Sequence, residues 1–265
     1  MKPILVFALL FCAVITAHAK EPIVIYLAGD STMAEKTADK RPETGWGEKL
    51  ERFFQPGSIK LENHAKNGRS TRSFIAEKLW QEIVDKLKKD DYVFIQFGHN
   101  DEKEGTDRYA SPEDYGVNLK RFVDEVRAKH AHPVLFTPVM RRRFDDKGEF
   151  FDTHGAYPEV VRKLAAELKV PLIDMHRSSE RVLREYGPEP SRKLFLQLKP
   201  GENPNYPQGV EDNTHFNQLG AEVMAGLVAT SIRDLKLPIA KYLRAESKTS
   251  TSSIAANAGR KVLSL

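Results

Sequence analysis

The sequence predicts an α/β fold in which a parallel sheet carries helices on both faces. Short runs of β-branched and aromatic residues alternate along the chain with longer segments whose apolar residues recur at helical spacing. This alternation is typical of strand–helix–strand units, which join parallel strands by right-handed crossovers. The chain has 265 residues, 40% of them hydrophobic, and this is enough for one large domain with a packed core.

The individual elements follow in order along the chain. Short apolar runs predict five buried strands, at residues 23–27, 59–63, 92–97, 134–137 and 171–174. Amphipathic segments predict the helices, at residues 47–54, 71–87, 112–129, 157–168, 177–186 and 217–233. A loop rich in Pro, Gly and Asn at 200–209 separates the last helix from the rest.

The first 19 residues are typical of a secretory signal peptide. A basic start is followed by an almost continuous apolar run at 4–17 and by Ala-His-Ala at 17–19, an A-x-A-type cleavage site. The run is short for a membrane span, so a retained anchor is the weaker alternative. Lipoprotein processing is disfavoured because Phe11, not a small residue, precedes Cys12, the only cysteine. We therefore expect a bacterial protein that is secreted or periplasmic.

The remaining chain is expected to form a hydrolase domain at 20–247 and a flexible Ser/Thr-rich tail at 248–265. The net charge is only +4, whereas nucleic-acid binding calls for a strongly basic face. We expect no nucleic-acid partner and no stable membrane association after signal cleavage. The oligomeric state is left open.

Polar residues follow the predicted strands at the sheet edge where α/β proteins bind ligands. Ser31 follows the first strand, Gly68 the second and Asn100 the third, while Asp212 and His215 precede the last helix. Each feature alone also fits a helix cap or an Asx turn. Together, on one rim, they favour catalysis.

Ester hydrolysis needs a nucleophile, a base, an orienting acid and an oxyanion hole. Ser31 can project its hydroxyl from a helix N-terminus, and Asp212, three residues before His215, can hold the imidazole in a single turn. The Ser31 and Gly68 backbone N–H groups and the Asn100 amide can reach one oxyanion.

Four segments resemble the sequence blocks of the SGNH (GDSL-type) hydrolases. They are Gly-Asp-Ser-Thr-Met at 29–33, Asn-His-Ala-Lys-Asn-Gly at 63–68, Gly-His-Asn-Asp at 98–101 and Asp-Asn-Thr-His at 212–215. The resemblance covers about 23–233. It is strongest to the rhamnogalacturonan acetylesterases, through Gly-Trp-Gly-Glu at 45–48, Gly-Arg-Ser-Thr-Arg-Ser at 68–73 and Asp-Thr-His-Gly at 152–155.

The resemblance implies a flavodoxin-like three-layer α/β/α sandwich with a five-stranded parallel sheet. It also implies a metal-free serine esterase without a cofactor, in which Ser31, Asp212 and His215 are catalytic and Ser31, Gly68 and Asn100 form the oxyanion hole. Fungal relatives carry disulfides, which a chain with one cysteine cannot form internally.

Other residues are candidates for support or substrate binding. Asp30 can brace the nucleophile turn, and His99 can position its loop. A basic rim can bind uronate carboxylates, although a solvated basic patch is the alternative. The candidate substrate-binding residues are Arg69, Arg72, Arg141, Arg142, Arg143 and Tyr206.

The function expected from the sequence is removal of acetyl groups from plant cell-wall polysaccharide, most of all rhamnogalacturonan. Acetylxylan or another acetylated glycan is the first alternative for the same site. A lipase or thioesterase is a second alternative, but no apolar loop lies near the four blocks. A non-catalytic carbohydrate-binding domain would need a broken site, whereas all five positions are filled.

Overall fold

Five parallel strands form the central sheet, in the order β2-β1-β3-β4-β5. The computed structural model describes residues 22–245, so the predicted signal peptide and the predicted tail at 248–265 lie outside the described residues. The strands are β1 Ile23–Gly29, β2 Ile59–Asn63, β3 Tyr92–Gln96, β4 His132–Phe136 and β5 Leu172–Ile173. The predicted parallel sheet is confirmed.

Seven α-helices connect and cover the strands within residues 22–245. They are α1 Gly47–Leu50, α2 Thr71–Ala76, α3 Leu79–Lys86, α4 Pro112–Ala128, α5 Tyr157–Leu168, α6 Met175–Tyr186 and α7 Gln218–Asp234. Short 3₁₀ segments lie at Ala38–Lys40, Glu51–Phe53, Pro190–Leu194 and Pro238–Tyr242.

The sheet separates two apolar cores because successive strand residues point to opposite faces. In β1, Ile25 and Leu27 join the core formed with α1, α6 and α7, whereas Tyr26 and Ala28 join the core formed with α2 to α5. All four side chains are buried. This is the three-layer α/β/α sandwich predicted from the sequence.

The helix predicted at 71–87 is wrong as one element, because it breaks into α2 and α3. Lys78, between them, has a left-handed backbone with φ of 61°. An unbroken helix would place Phe74 and Trp80 about 120° apart around its axis. The break lets both side chains enter the same core.

An antiparallel pair of strands was not predicted. β6 Phe195–Leu198 pairs with β7 Val210–Phe216 in a second, two-stranded sheet. Asp212 and His215 therefore lie in a strand rather than in the expected turn. Acidic and amide residues in β7 have low strand propensity, which hid the strand from pattern analysis.

The strand order places a topological switch point between β1 and β3. From β1 the chain crosses to β2 at one side and then returns to β3 at the other. In the sheet register, Gly29 lies beside Gln96, so the residues that follow both strands emerge together. Open α/β sheets bind ligands at such a crevice.

Candidate active site

Ser31 lies in a tight turn directly after β1. The Asp30 carbonyl accepts hydrogen bonds from the backbone N–H groups of Met33 (3.2 Å) and Ala34 (3.0 Å), but the turn does not continue into a helix. The expectation that Ser31 begins a helix is therefore wrong. The Ser31 carbonyl, which a helix would bond to a backbone N–H, instead accepts from the Lys36 ammonium at 2.5 Å.

Ser31, His215 and Asp212 form a continuous hydrogen-bonded chain. Ser31 Oγ lies 2.8 Å from His215 Nε2. His215 Nδ1 lies 2.7 Å from Asp212 Oδ2, so the carboxylate can hold the proton on Nδ1 and leave Nε2 free to accept from the hydroxyl. The sequence separation between Ser31 and His215 is 184 residues, and the fold alone brings them together.

The Asp212 carboxylate is held in its charged form. Its Oδ1 accepts from the backbone N–H groups of Thr214 (2.6 Å) and His215 (2.9 Å). Partial burial raises the pKa of Asp212, but the hydrogen bond and charge of His215 and these two backbone N–H groups outweigh it and lower the pKa to about 2. Asp212 is therefore ionised at any pH near neutral.

Neighbouring loops hold the β7 strand in place. Gln197 Nε2 donates to the Asp212 carbonyl at 2.8 Å. The backbone N–H of Arg142 donates to the Asn213 carbonyl at 2.8 Å, and Arg142 Nη1 donates to Asn213 Oδ1 at 2.9 Å. These contacts fix the acid and base against the loop that follows β4.

The backbone N–H groups of Ser31 and Gly68 have no acceptor among the described residues. Gly68 has a φ of 76°, which favours glycine. Arg69 Nη1 donates to the Asn67 carbonyl at 2.9 Å, and this carbonyl belongs to the same peptide group as the Gly68 N–H. Since the two ends of a trans peptide point in opposite directions, the contact orients the N–H.

The Asn100 amide is a third candidate donor. Asn100 is buried, and its Nδ2 donates one hydrogen to the Arg69 carbonyl at 3.0 Å, which leaves its second hydrogen for a ligand. Its Oδ1 accepts from Lys103 Nζ (3.2 Å) and Arg108 Nη1 (3.3 Å). These two cations fix which end of the amide faces the site.

Asp30 and His99 lie behind the nucleophile. Asp30 is fully buried, and its Oδ1 accepts from the Thr32 backbone N–H (2.9 Å) and hydroxyl (2.8 Å). Its Oδ2 lies 3.5 Å from His99 Nδ1. Burial lowers the pKa of His99 to about 4. Burial raises the pKa of Asp30, but His99 and Thr32 outweigh it and lower that pKa to about 2. The ordinary state at neutral pH is an aspartate beside a neutral imidazole.

Lys36 was missed by sequence reasoning. Its side chain is fully enclosed, and besides the Ser31 carbonyl it contacts Asn67 Oδ1 (2.7 Å) and Glu43 Oε1 (2.9 Å). It therefore joins the Ser31 turn to the loop that carries Gly68. No pattern in the sequence distinguishes Lys36 from an exposed lysine.

Most of the candidate substrate-binding arginines already contact protein groups. Arg69 is paired with Glu77 (2.8 Å), and Arg72 donates to the Tyr109 carbonyl (3.3 Å). Arg141 is paired with Glu102 and donates to Thr153 Oγ1 (3.1 Å). Arg142 is buried, and its remaining donors contact the Pro188 carbonyl and Ser191 Oγ.

Arg143 and Tyr206 are the two remaining candidates for substrate binding. Arg143 is exposed on the loop after β4. The Tyr206 hydroxyl donates to the Lys40 carbonyl at 3.0 Å, which joins the 200–209 loop to the segment carrying Glu43. Burial raises the pKa of Tyr206, and the Glu43 and Asp212 carboxylates raise it further.

Within residues 22–245, no three His, Cys, Asp or Glu side chains are grouped so that they could hold a metal ion.

Two curated relatives are similar over most of the chain. Rhamnogalacturonan acetylesterase RhgT of Bacillus subtilis is 44% identical over 225 residues, which cover 84% of this chain and 95% of RhgT. A probable rhamnogalacturonan acetylesterase, YesY of the same organism, is 37% identical and covers 83% of this chain and 96% of YesY. The predicted resemblance to this branch is confirmed.

Solved structures share the fold. The structure of YxiM from Bacillus subtilis superposes with a TM-score of 0.70 at 25% identity, covering 82% of this chain and 58% of that one. An acetylxylan esterase, Axe2 of Geobacillus stearothermophilus, superposes with a TM-score of 0.57 at 17% identity, covering 86% of this chain and 100% of that one.

The family assignment rests on the whole fold as well as on the Ser31 turn. The model of the GDSL-like lipase/acylhydrolase family matches residues 27–223, from the end of β1 into α7. This range contains all five positions at which the sequence resembles the four blocks. The chain belongs to the GDSL-like lipase/acylhydrolase family.

Proposed function

We propose that this protein is a carbohydrate acetylesterase that removes acetyl groups from rhamnogalacturonan, with Ser31, His215 and Asp212 as its catalytic residues. The observation that carries the proposal is the unbroken chain from Ser31 Oγ through His215 to Asp212, with contacts of 2.8 and 2.7 Å. The backbone N–H groups of Ser31 and Gly68 and one Asn100 Nδ2 hydrogen have no acceptor among the described residues, and we assign them to the oxyanion. The substrate is inferred from RhgT and YesY.

The geometry supports a two-step acyl transfer. Ser31 Oγ attacks the acetyl carbonyl carbon while its proton moves to His215 Nε2, and Asp212 stabilises the resulting imidazolium. The C–O bond to the sugar then breaks as His215 returns the proton to the sugar oxygen. Water repeats the sequence on acetyl-Ser31, with His215 again as the base, and releases acetate and the free serine.

The negative charge of each tetrahedral intermediate falls on the acetyl oxygen. In the proposal this oxygen accepts from the Ser31 and Gly68 backbone N–H groups and from Asn100 Nδ2. One such donor contributes roughly 10²–10³ in turnover, because it is oriented before charge develops. Asp30 and His99 support the turn in this scheme, and Arg142 supports β7.

The direct test is acetate release from acetylated pectic rhamnogalacturonan and from acetylated xylan. We expect the first polymer to be preferred, and Ser31→Ala to reduce release by at least roughly 10⁴-fold. Ser58→Ala is the matched control, since Ser58 precedes β2 at the opposite end of the sheet. Retention of activity by Ser31→Ala would overturn the catalytic assignment.

A second measurement separates the acetylesterase from a lipase. Nitrophenyl esters of increasing acyl length should be hydrolysed more slowly from acetyl to octanoyl, because the donors beside Ser31 adjoin charged rather than apolar side chains. A rate that rises with acyl length would favour a lipase, and a preference for xylan would transfer the substrate assignment to that polymer.

The cellular location is part of the same proposal. No helix within residues 22–245 has the length and apolar character needed to cross a membrane. The signal-like segment at 1–19 supports export to the periplasm or the medium, where an acetylated polymer would be encountered. Detection of a mature chain that begins near residue 20 would test it.

A further inference from the structure

Two cations flank the Asn100 amide at the edge of the proposed oxyanion hole. Lys103 Nζ and Arg108 Nη1 both donate to Asn100 Oδ1, at 3.2 and 3.3 Å. Arg108 Nη1 also lies 3.6 Å from the point that a Cβ atom on Gly68 would occupy. The pair is therefore adjacent to two of the three oxyanion donors.

These cations have no carboxylate partner in the part of the chain that is described. Neither is within 4.0 Å of an Asp or Glu oxygen among residues 22–245, and the neighbouring Glu102 is engaged by Arg141 and His154. Partial burial lowers the pKa of Lys103, and the charges of Arg108 and Arg141 lower it further. An anion that bound here would relieve this repulsion.

The remaining basic residues of the rim are less available. Arg69, Arg141 and Arg142 donate to groups of the protein, as described above. Lys103 is exposed and Arg108 is half-exposed, so both keep donors that face solvent. A guanidinium beside an ammonium matches the two oxygens of one carboxylate.

We propose that Lys103 and Arg108 form a subsite for the carboxylate of a uronic acid in the substrate. A carboxylate on this pair and an acetyl oxygen on Asn100 Nδ2 would be two or three hydrogen-bond lengths apart, roughly 6–9 Å. A pyranose ring with an ester on one side and a carboxylate on the other spans such a distance. The proposal rests on the proposed function, because it assumes that the acetyl group lies in the hole.

The test compares two small substrates that differ only in charge. They are a mono-acetylated methyl galactosiduronic acid and its carboxyl methyl ester. We expect the wild-type protein to have a higher kcat/KM for the acid than for the ester. The double variant Lys103→Gln with Arg108→Gln should have a roughly 10- to 100-fold lower kcat/KM for the acid, mainly because its KM is higher. The ester and p-nitrophenyl acetate should be affected far less, because the Arg69 carbonyl still holds Asn100 Nδ2 and the glutamine amides can still donate to Asn100 Oδ1. Added salt should weaken the preference, since the cations are partly exposed.

The matched controls are Lys120→Gln and Arg52→Gln, which each remove one positive charge from the outer surface. They should leave the rates on the acid and on the ester unchanged. Equal losses on the acid, the ester and p-nitrophenyl acetate would overturn the proposal, because they would show that the cations only position Asn100. Equal wild-type rates on the acid and the ester would overturn it as well.

A binding measurement keeps the subsite separate from the proposed function. Digalacturonate, which has no acetyl group, should inhibit hydrolysis of p-nitrophenyl acetate, and the double variant should lose this inhibition. If neither sugar ester nor polymer were hydrolysed while this inhibition persisted, the proposed function would fail and the subsite would stand. Inhibition that is the same in the double variant, or absent from the wild type, would overturn the subsite.

Discussion

Asp212 illustrates how a single residue is tuned by its neighbours. The carboxylate loses part of its hydration on folding, which by itself would raise its pKa. Two backbone N–H groups and the imidazole replace the lost water contacts with hydrogen bonds of fixed geometry. The result is an anion that stays charged and holds one tautomer of the base.

The pH dependence of stability follows from this residue. The pKa of Asp212 is about 2 in the folded protein, whereas the ordinary value, taken for the unfolded chain, is 3.8. Between these pH values the unfolded chain binds more protons than the folded protein. The stabilising contribution of Asp212, about 2 kcal/mol, should be complete above pH 4 and lost as the pH falls through about 2. Urea unfolding of the wild type and Asp212→Asn at pH 5 and pH 2 measures it.

The difference in unfolding free energy between the wild type and Asp212→Asn should be larger at pH 5 than at pH 2. Asp124→Asn is the control, because Asp124 is half-exposed and pairs with Lys120 on the surface of α4. Its effect should stay below about 0.5 kcal/mol at both pH values. A wild-type advantage over Asp212→Asn that grew towards pH 2 would contradict the assignment.

At the scale of one element, α7 fixes the position of His215. Asn217, two residues after His215, caps the helix. Its Oδ1 accepts from the Gly220 backbone N–H at 3.0 Å. Asn217 Nδ2 donates to the Lys193 (2.8 Å) and Phe195 (3.0 Å) carbonyls. The helix start is thus bonded to the segment that leads into β6.

Two glycines in α7 provide a matched pair of variants. A Cβ atom at Gly220 would lie 1.9 Å from the Leu194 carbonyl oxygen, whereas one at Gly226 would lie 3.5 Å from the Phe53 ring. Gly220→Ala should destabilise the protein by at least about 2 kcal/mol and lower esterase activity, since the backbone must shift next to His215.

Gly226→Ala should instead stabilise the protein by about 0.5–1 kcal/mol, because alanine favours a helix and here has room. Urea unfolding and nitrophenyl acetate hydrolysis measure both variants. Equal effects of the two substitutions would show that α7 does not pack on Leu194 as described.

Sequence patterns predicted the sheet and the five proposed catalytic positions, because runs at strand spacing are followed there by polar, glycine-containing turns. They did not predict β6 and β7, because the acidic and amide residues of β7 have low strand propensity. They also gave no signal for Lys36, Lys103 or Arg108. The role of each of these depends on which loop its flexible side chain reaches, and no residue spacing encodes that.

At the scale of the molecule, stability rests on the two cores and not on cross-links. The chain has one cysteine, Cys12, so it cannot form an internal disulfide. Large aromatic side chains fill the cores instead, among them Trp46, which is fully buried and stacks on Phe136 at 5.7 Å between ring centroids.

The urea midpoint should therefore be the same with and without a reducing agent. Thermal unfolding in both conditions provides an independent measurement, and a disulfide-containing protein of similar size provides the positive control. A midpoint that falls on reduction would mean that a covalent link between copies of the chain contributes to stability.

The enclosed Lys36 side chain has a consequence for the lifetime of the catalyst. Each proposed turnover leaves an acetyl ester on Ser31, a residue whose backbone carbonyl contacts an amine that could otherwise capture the acetyl group as a permanent amide. The ion pair with Glu43 and the contacts to Asn67 and the Ser31 carbonyl hold the Lys36 nitrogen on three sides, which restrains it from turning towards the ester. We therefore expect water to be the acceptor in the proposed second step and Lys36 to stay free of acetyl groups.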